Sequence, residues 1–207
     1  MQRGLERLYR IRSGLDVRDF VVGEDARAGL ADRRRPREQL LVRHDEEGLW
    51  LGLFLDPDAL ANLAANDPRR RLDDANLGDL CLTVEGVSHF LYLVFCAGQE
   101  RPVSQRELEL QAEVDKYATC LLTLMAQGGG PPGDLWPALF RRFALDPALA
   151  PDERERYATA NEQASRYAAD LDRRYVRRGR LAALLVELRL FYRLSWRQKV
   201  ERIARRA

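Results

Sequence analysis

The pattern of apolar and polar positions divides the chain into a short β-hairpin followed by a series of helices. Apolar runs at 40–43 and 49–55 flank an acidic turn at 45–48. This predicts a hairpin over about 39–55, because the glycine that ends the turn accepts the positive φ of such connections. Asp56 and Pro57 then supply an N-cap and a first helical residue, which predicts a short helix to about Ala65.

Two longer helices are predicted in the middle of the chain. Residues 77–97 carry apolar side chains at alternating spacings of three and four, which favours a buried helix, although the β-branched residues and Gly86 also permit a hairpin. Residues 107–115 alternate between apolar and polar positions as a strand would. Ser104 and Glu107 nevertheless have the spacing of a capping box, and strong helix formers dominate the segment. We therefore expect one helix over about 104–126.

The remaining predictions concern the two ends of the chain. Residues up to 22 predict a strand followed by a short helix. The QGGGPPG stretch at 127–133 predicts a linker rather than a phosphate-binding loop, since it follows a helix and its prolines remove N–H donors. Beyond it we expect only helices, near 134–144, 152–178 and 181–191. A last, basic helix should open at the capping box of Ser195 and Gln198.

These elements predict a mainly helical α+β protein with a small antiparallel sheet packed with helices. An α+β region would span 1–127 and an all-helical basic region 134–207, and whether they pack as one domain is left open. The charged N-terminus has no apolar core of a secretory signal. The uncharged runs at 86–99 and 117–133 are too short or too broken to span a membrane. Cys81, Cys96 and Cys120 lie in apolar surroundings and are expected to be reduced, as in a cytoplasmic protein.

Charge is segregated along the chain. The net charge is +2, yet residues 165–207 contain 13 basic and 4 acidic side chains, a balance of +9. Such a segment predicts a contact surface for an acidic protein or for nucleic-acid phosphates. The candidate binding residues are Arg173, Arg174, Arg177, Arg178, Arg180, Arg197 and Lys199.

One weaker candidate for chemistry lies in the central helices. If residues 77–97 are helical, Glu85, His89 and Tyr92 share a face that could meet Glu113 of the next helix. A single histidine with mixed partners is a weak metal signal, and the favoured interpretation is a polar cluster bonded internally. Glu109, Glu113 and Lys116 are expected to form a solvated flank of their helix. No metal or cofactor is predicted.

Three functions follow from these patterns. The favoured one is a non-catalytic cytoplasmic interaction or assembly module, whose basic C-terminal region contacts an acidic protein or a second copy of the chain. The second is nucleic-acid binding through the same arginines. The third is a metal-assisted enzyme centred on Glu85 and His89.

Overall fold

The computed structural model describes residues 1–27, 36–46, 48–128, 135–141, 147 and 149–206. Seven α-helices and three strands are assigned within this part of the chain. They are α1 Gln2–Tyr9, β1 Val21–Val22, β2 Glu38–Asp45, β3 Gly48–Leu55, α2 Pro57–Ala65, α3 Leu77–Ala97, α4 Gln105–Ala126, α5 Pro151–Leu171, α6 Leu181–Tyr192 and α7 Trp196–Ala204. The predicted mainly helical α+β fold is confirmed.

The sheet is small and mixed, with the strand order β1–β3–β2. Strands β2 and β3 form the predicted antiparallel hairpin, with Leu40 opposite Leu53. The pairing extends to Asp45 opposite Gly48, so the strands reach further into the turn than predicted. Strand β1 pairs with β3 in parallel, which the sequence pattern did not predict.

Helix boundaries follow the local capping chemistry. The Asp56 side chain accepts a bond from the backbone N–H of Asp58 at the start of α2, and Pro57 occupies the first turn, as predicted. The Ser104 hydroxyl accepts from the backbone N–H of Glu107, 3.2 Å away, and starts α4. The predicted N-terminal strand is wrong. The chain begins with α1, and only Val21–Val22 form a strand.

Helix α3 lies at the centre of the protein, against α2, α4, β2 and β3. Helix α4 packs between α3 and α5, and α1 contacts both α3 and α6. One hydrophobic core contains residues from both predicted regions, including Phe90 of α3 and Phe191 of α6. Residues 129–133 of the predicted linker lie outside the described residues, as do residues 134 and 142–144 of the predicted helix near 134–144. The described part of that helix, residues 135–141, is helical and ends in a π-helix over Pro137–Arg141.

Helix α3 is long and apolar enough to cross a membrane by composition alone, with a mean hydropathy of 1.7 in its most apolar window. In the structure, 61% of that window is buried inside the protein. This burial is the behaviour of a core helix in a soluble protein.

Candidate metal centre

Helices α3 and α4 bring ionisable side chains together in the protein interior. Glu85 and His89 lie four residues apart on α3, and Glu109 and Glu113 lie four residues apart on α4. Residues at this spacing share one face of a helix, so each helix presents a pair to its neighbour. His89, Glu109 and Glu113 are each at least 92% buried. The expected solvated flank of α4 is therefore wrong, because α3 and α5 cover that face.

His89 lies between two carboxylates. Its Nδ1 atom is 3.4 Å from Oε1 of Glu38 on β2, and its Nε2 atom is 3.4 Å from Oε2 of Glu109. Possible ligand atoms of Glu85, His89 and Glu109 all lie within 4.8 Å of one another. Donors about 2.0–2.2 Å from one ion lie at most about 4.4 Å apart, so small side-chain shifts would let these three share a cation.

Gly86 explains how Glu38 reaches this cluster. A β-carbon at position 86 would lie 2.8 Å from Cδ2 of Leu55 and 2.9 Å from Cγ of Glu38. The absence of a side chain therefore allows the sheet to approach α3 one turn before His89. Although glycine costs helix stability of about 1 kcal/mol relative to alanine, it is needed here for this close contact.

Three buried polar atoms in this region lack hydrogen-bond partners, and one of them is Nε of Arg156 on α5. Neither Nε2 of His89 nor Oε1 of Glu38 makes a hydrogen bond, although both are shielded from solvent. Buried polar atoms are nearly always satisfied in folded proteins, since an unpaired one costs about 1–3 kcal/mol. The orphaned Nε2 faces Glu109, where a cation would bind, whereas Oε1 of Glu38 lies on the Nδ1 side of the ring.

Two basic side chains offset part of the acidic charge. Lys116 Nζ lies 3.0 Å from Oε2 of Glu85 and 2.6 Å from Oε1 of Glu113. Arg156 Nε of α5 lies 3.7 Å from Oε1 of Glu109. Four carboxylates, one lysine and one arginine give the cluster a net charge of −1 when His89 carries a proton, and of −2 when His89 is neutral, the form that can bind a metal. A divalent cation would neutralise this charge.

The pKa values reflect the same balance of burial and charge. Burial raises the pKa of Glu38 and of Glu113. Burial also opposes ionisation of Glu85, but the charges of Lys116 and His89 outweigh it and lower the pKa of Glu85. For His89, burial favours the neutral ring, whereas Glu109 and Glu38 outweigh burial and raise its pKa. Without a cation, a proton on His89 offsets part of the negative charge.

A second buried network lies beside this cluster and contains Tyr92, which was predicted to join Glu85 and His89. The Tyr92 hydroxyl donates to Oε1 of Glu107, 2.6 Å away, and accepts from Nζ of Lys199, 2.7 Å away. Lys199 also donates to Oε1 of Gln111 at 2.7 Å. The predicted capping box is therefore only half formed: Ser104 caps α4, whereas the Glu107 carboxylate bonds Tyr92 and Arg101 in the core. The periodicity of the sequence predicted the helices that carry Tyr92 and Glu107, but it could not predict which side chains of other helices these residues contact.

Asp115 completes this network on the opposite side of Gln111. It accepts bonds from the hydroxyls of Tyr9 and Ser88 and from Nε2 of Gln111. Burial raises the pKa of Asp115 to about 6, although these bonds oppose the shift. Burial lowers the pKa of Lys199 to about 7, against the charges of Glu107 and Asp115. The network thus ties α1, α3, α4 and α7 together.

Most of the predicted basic contact residues form pairs within the chain. Lys199 is fully buried, so it is removed from the predicted contact surface. The other pairs are Arg173 and Arg174 with Asp170, Arg177 with Asp172, and Arg197 with Glu201. Arg178 and Arg180 are exposed and have no carboxylate partner among the described residues. Acidic side chains of the same C-terminal region therefore pair with most of the arginines that were predicted to contact another molecule.

Comparison with known protein families, with curated proteins and with solved structures gives no match to this chain.

Proposed function

We propose that this protein binds a divalent metal ion through Glu85, His89 and Glu109. The observation that carries the proposal is the unpartnered Nε2 of His89, which is buried within 3.4 Å of a Glu109 oxygen. Glu38 on the other side of the ring would accept a bond from Nδ1–H and fix the orientation of the imidazole. A carboxylate behind a metal-binding histidine is a common arrangement, because it selects the tautomer and raises the basicity of the ligand.

The donor set defines the class of ion. Two carboxylates favour Mg²⁺ or Mn²⁺, whereas an imidazole favours Zn²⁺, Fe²⁺ or another transition ion. Mn²⁺, Fe²⁺ and Zn²⁺ accept both kinds of donor. Lys116 bonds only one oxygen of Glu85, so the other oxygen is available to the ion.

A cavity of about 360 Å³ borders the cluster on the side of Glu113 and Lys116. Its described lining also includes Cys81, but none of the three proposed metal ligands. A substrate bound there would meet the Glu113–Lys116 pair, and Lys116 in turn bonds Glu85. Lys116 would provide a fixed positive charge for an anionic group of the substrate.

Titration calorimetry with Mn²⁺ and Zn²⁺ tests the binding. The wild-type protein should take up one ion with saturable heat. His89→Gln and Glu109→Gln should each weaken binding at least about tenfold, since each removes a direct ligand. Glu162→Gln is the matched control, because Glu162 is an exposed glutamate of α5 paired with Arg166.

Circular dichroism would establish that each variant remains folded. An absence of saturable binding by both ions would refute the proposal. Equal weakening by Glu162→Gln would also refute it, because binding would then be a property of the general surface charge.

A cytoplasmic interaction module with an acidic partner is the second proposal. It is supported by the exposed and unpaired Arg178 and Arg180 and by the +9 balance of residues 165–207. The free state of all three cysteines is compatible with a reducing compartment. Polyglutamate should bind the wild type and bind Arg178→Ala/Arg180→Ala more weakly. If labelled DNA or RNA binds tightly at low salt instead, the nucleic-acid alternative is favoured.

A further inference from the structure

A basic cleft lies at the other end of α3 from Glu85, where α1, the α3–α4 connection and the end of α6 meet. It encloses about 810 Å³ and is lined by four arginines, Arg10, Arg12, Arg101 and Arg193. Its lining includes no residue of the candidate metal centre. A volume of this size accommodates a ligand of nucleotide dimensions.

Three of these guanidinium groups have no carboxylate partner within the described part of the chain. No hydrogen bond or ion pair is made by the side chains of Arg10 and Arg12, and Arg193 donates only to backbone carbonyls such as that of Tyr9, 3.0 Å away. Arg101 is the exception, since it pairs with buried Glu107 at 2.6 Å. Many arginines of the described chain pair with carboxylates, whereas Arg178 and Arg180 elsewhere on the surface do not. Within this cleft, three guanidinium groups without a carboxylate partner lie together and leave bonding capacity for an external anion.

Two residues that line the cleft have a left-handed backbone conformation. Arg10 has φ 53° and Glu100 has φ 51°, and these are the two non-glycine residues with positive φ in the described chain. Both line the cleft. Arg10 occupies the left-handed position after α1, where glycine is the residue that avoids strain. The chain therefore holds an arginine where local structure favours glycine, and Glu100 is the one acidic side chain in the lining.

An apolar groove continues from the basic cleft. It encloses about 570 Å³ and shares Ile11, Arg12, Phe95 and Gln99 with the cleft. Beyond this shared wall its lining is largely apolar and includes Leu15, Phe20, Leu51 and Val94. The two spaces together offer guanidinium groups at one end and apolar side chains at the other.

We propose that this composite cleft binds a phosphorylated small molecule that has an apolar or aromatic portion. Guanidinium forks match phosphate oxygens in geometry and charge, so Arg10, Arg12 and Arg193 would hold the phosphate. The apolar portion would lie along Ile11 and Phe95, where burial of its surface adds affinity. This site is independent of the metal ion proposed for Glu85, His89 and Glu109.

Calorimetric titration at low salt tests this site with three probes: pyrophosphate, ATP and dihexanoyl phosphatidic acid. ATP or the short lipid should bind saturably and at least about tenfold more tightly than pyrophosphate, because only those two carry an apolar or aromatic portion. Whichever of the two binds more tightly identifies the source of the phosphate. Similar weak binding of all three probes would overturn the composite site, and no saturable binding would overturn the proposal entirely.

Variants separate a ligand-binding role from a structural one. Arg10→Gly should weaken probe binding about tenfold while leaving the melting temperature equal or higher, because glycine relieves the left-handed backbone. Arg12→Ala should weaken it similarly, and Arg166→Ala on α5 is the control that should not. Equal losses in all three variants would contradict a specific site. A single-stranded RNA that binds more tightly than every small probe would contradict the ligand class.

Discussion

Replacing Lys199 with methionine should remove a pH-dependent part of the stability of this protein. Burial lowers the pKa of Lys199 to about 7, whereas an exposed lysine has a pKa of 10.5. Between these values the unfolded chain keeps the proton that the folded chain has lost. Stability therefore rises with pH across this window, and the cost of burying the charge is fully present below pH 7. From pH 7 to pH 9 the wild type should gain about 2 kcal/mol relative to Lys199→Met.

Urea denaturation of both proteins at pH 7, 8 and 9 measures this difference. Methionine keeps the length of the side chain and removes its charge, so other titrations largely cancel between the two proteins. An NMR titration of wild-type protein labelled at the lysine ε-carbons supplies an independent measurement. The chain has only two lysines, Lys116 and Lys199. Their charged neighbours separate them, since Glu85 and Glu113 outweigh burial and raise the pKa of Lys116 well above 10.5.

One resonance should therefore titrate near pH 7 and the other should remain charged beyond pH 10. The reasoning is refuted if both resonances titrate above pH 10, or if stability has the same pH dependence in both proteins. In that case Glu107 and Asp115 would stabilise the ammonium form more than burial destabilises it.

Three further predictions concern buried groups. Burial raises the pKa of Asp115 from 3.8 to about 6, so its stabilising contribution is present below pH 3.8 and is lost as pH rises through 6. Between pH 4.5 and 7 the free energy of unfolding of the wild type should fall by about 2 kcal/mol relative to that of Asp115→Asn, as measured by urea denaturation. Glu187→Gln should lower the free energy of unfolding by about 2 kcal/mol in the same assay. This loss is smaller than that expected for a fully buried ion pair, because the partner Arg202 is 30% exposed. An unchanged urea midpoint would contradict this prediction. Diamide should join Cys81 to Cys120, whose sulfur atoms are 4.0 Å apart, and thiol counting by mass spectrometry should then find one free cysteine rather than three.

Local sequence signals predicted the helices and strands of this fold better than they predicted which elements pack against one another. The Ser104 cap and the Pro57 start depend on bonds within one turn, so the chain encodes them locally. The periodicity of α3 favoured the observed helix, although its β-branched residues and Gly86 had left a hairpin as an alternative. Strand β1 could not be predicted in this way, since two residues contain no pattern and their pairing with β3 is set by the tertiary fold.

The candidate site depends on what covers each helix face, and a helical wheel does not contain that information. Glu109 and Glu113 were correctly assigned to one flank of α4. The flank was expected to be solvated because it is charged, whereas the structure covers it with α3 and α5. Lys199 was misjudged for the same reason, since it belongs to a basic segment and yet is fully buried. For Lys199 one signal was available, because a lone lysine in an arginine-rich segment differs from its neighbours in how readily burial lowers its pKa.

A crystal of this protein soaked in MnCl₂ tests the central claim most directly, because the anomalous scattering of manganese locates the ion. The account predicts one strong peak about 2.0–2.3 Å from Nε2 of His89 and from carboxylate oxygens of Glu85 and Glu109. Glu38 should then lie within hydrogen-bonding distance of Nδ1. A peak elsewhere, or no peak at His89, would contradict the proposed metal site.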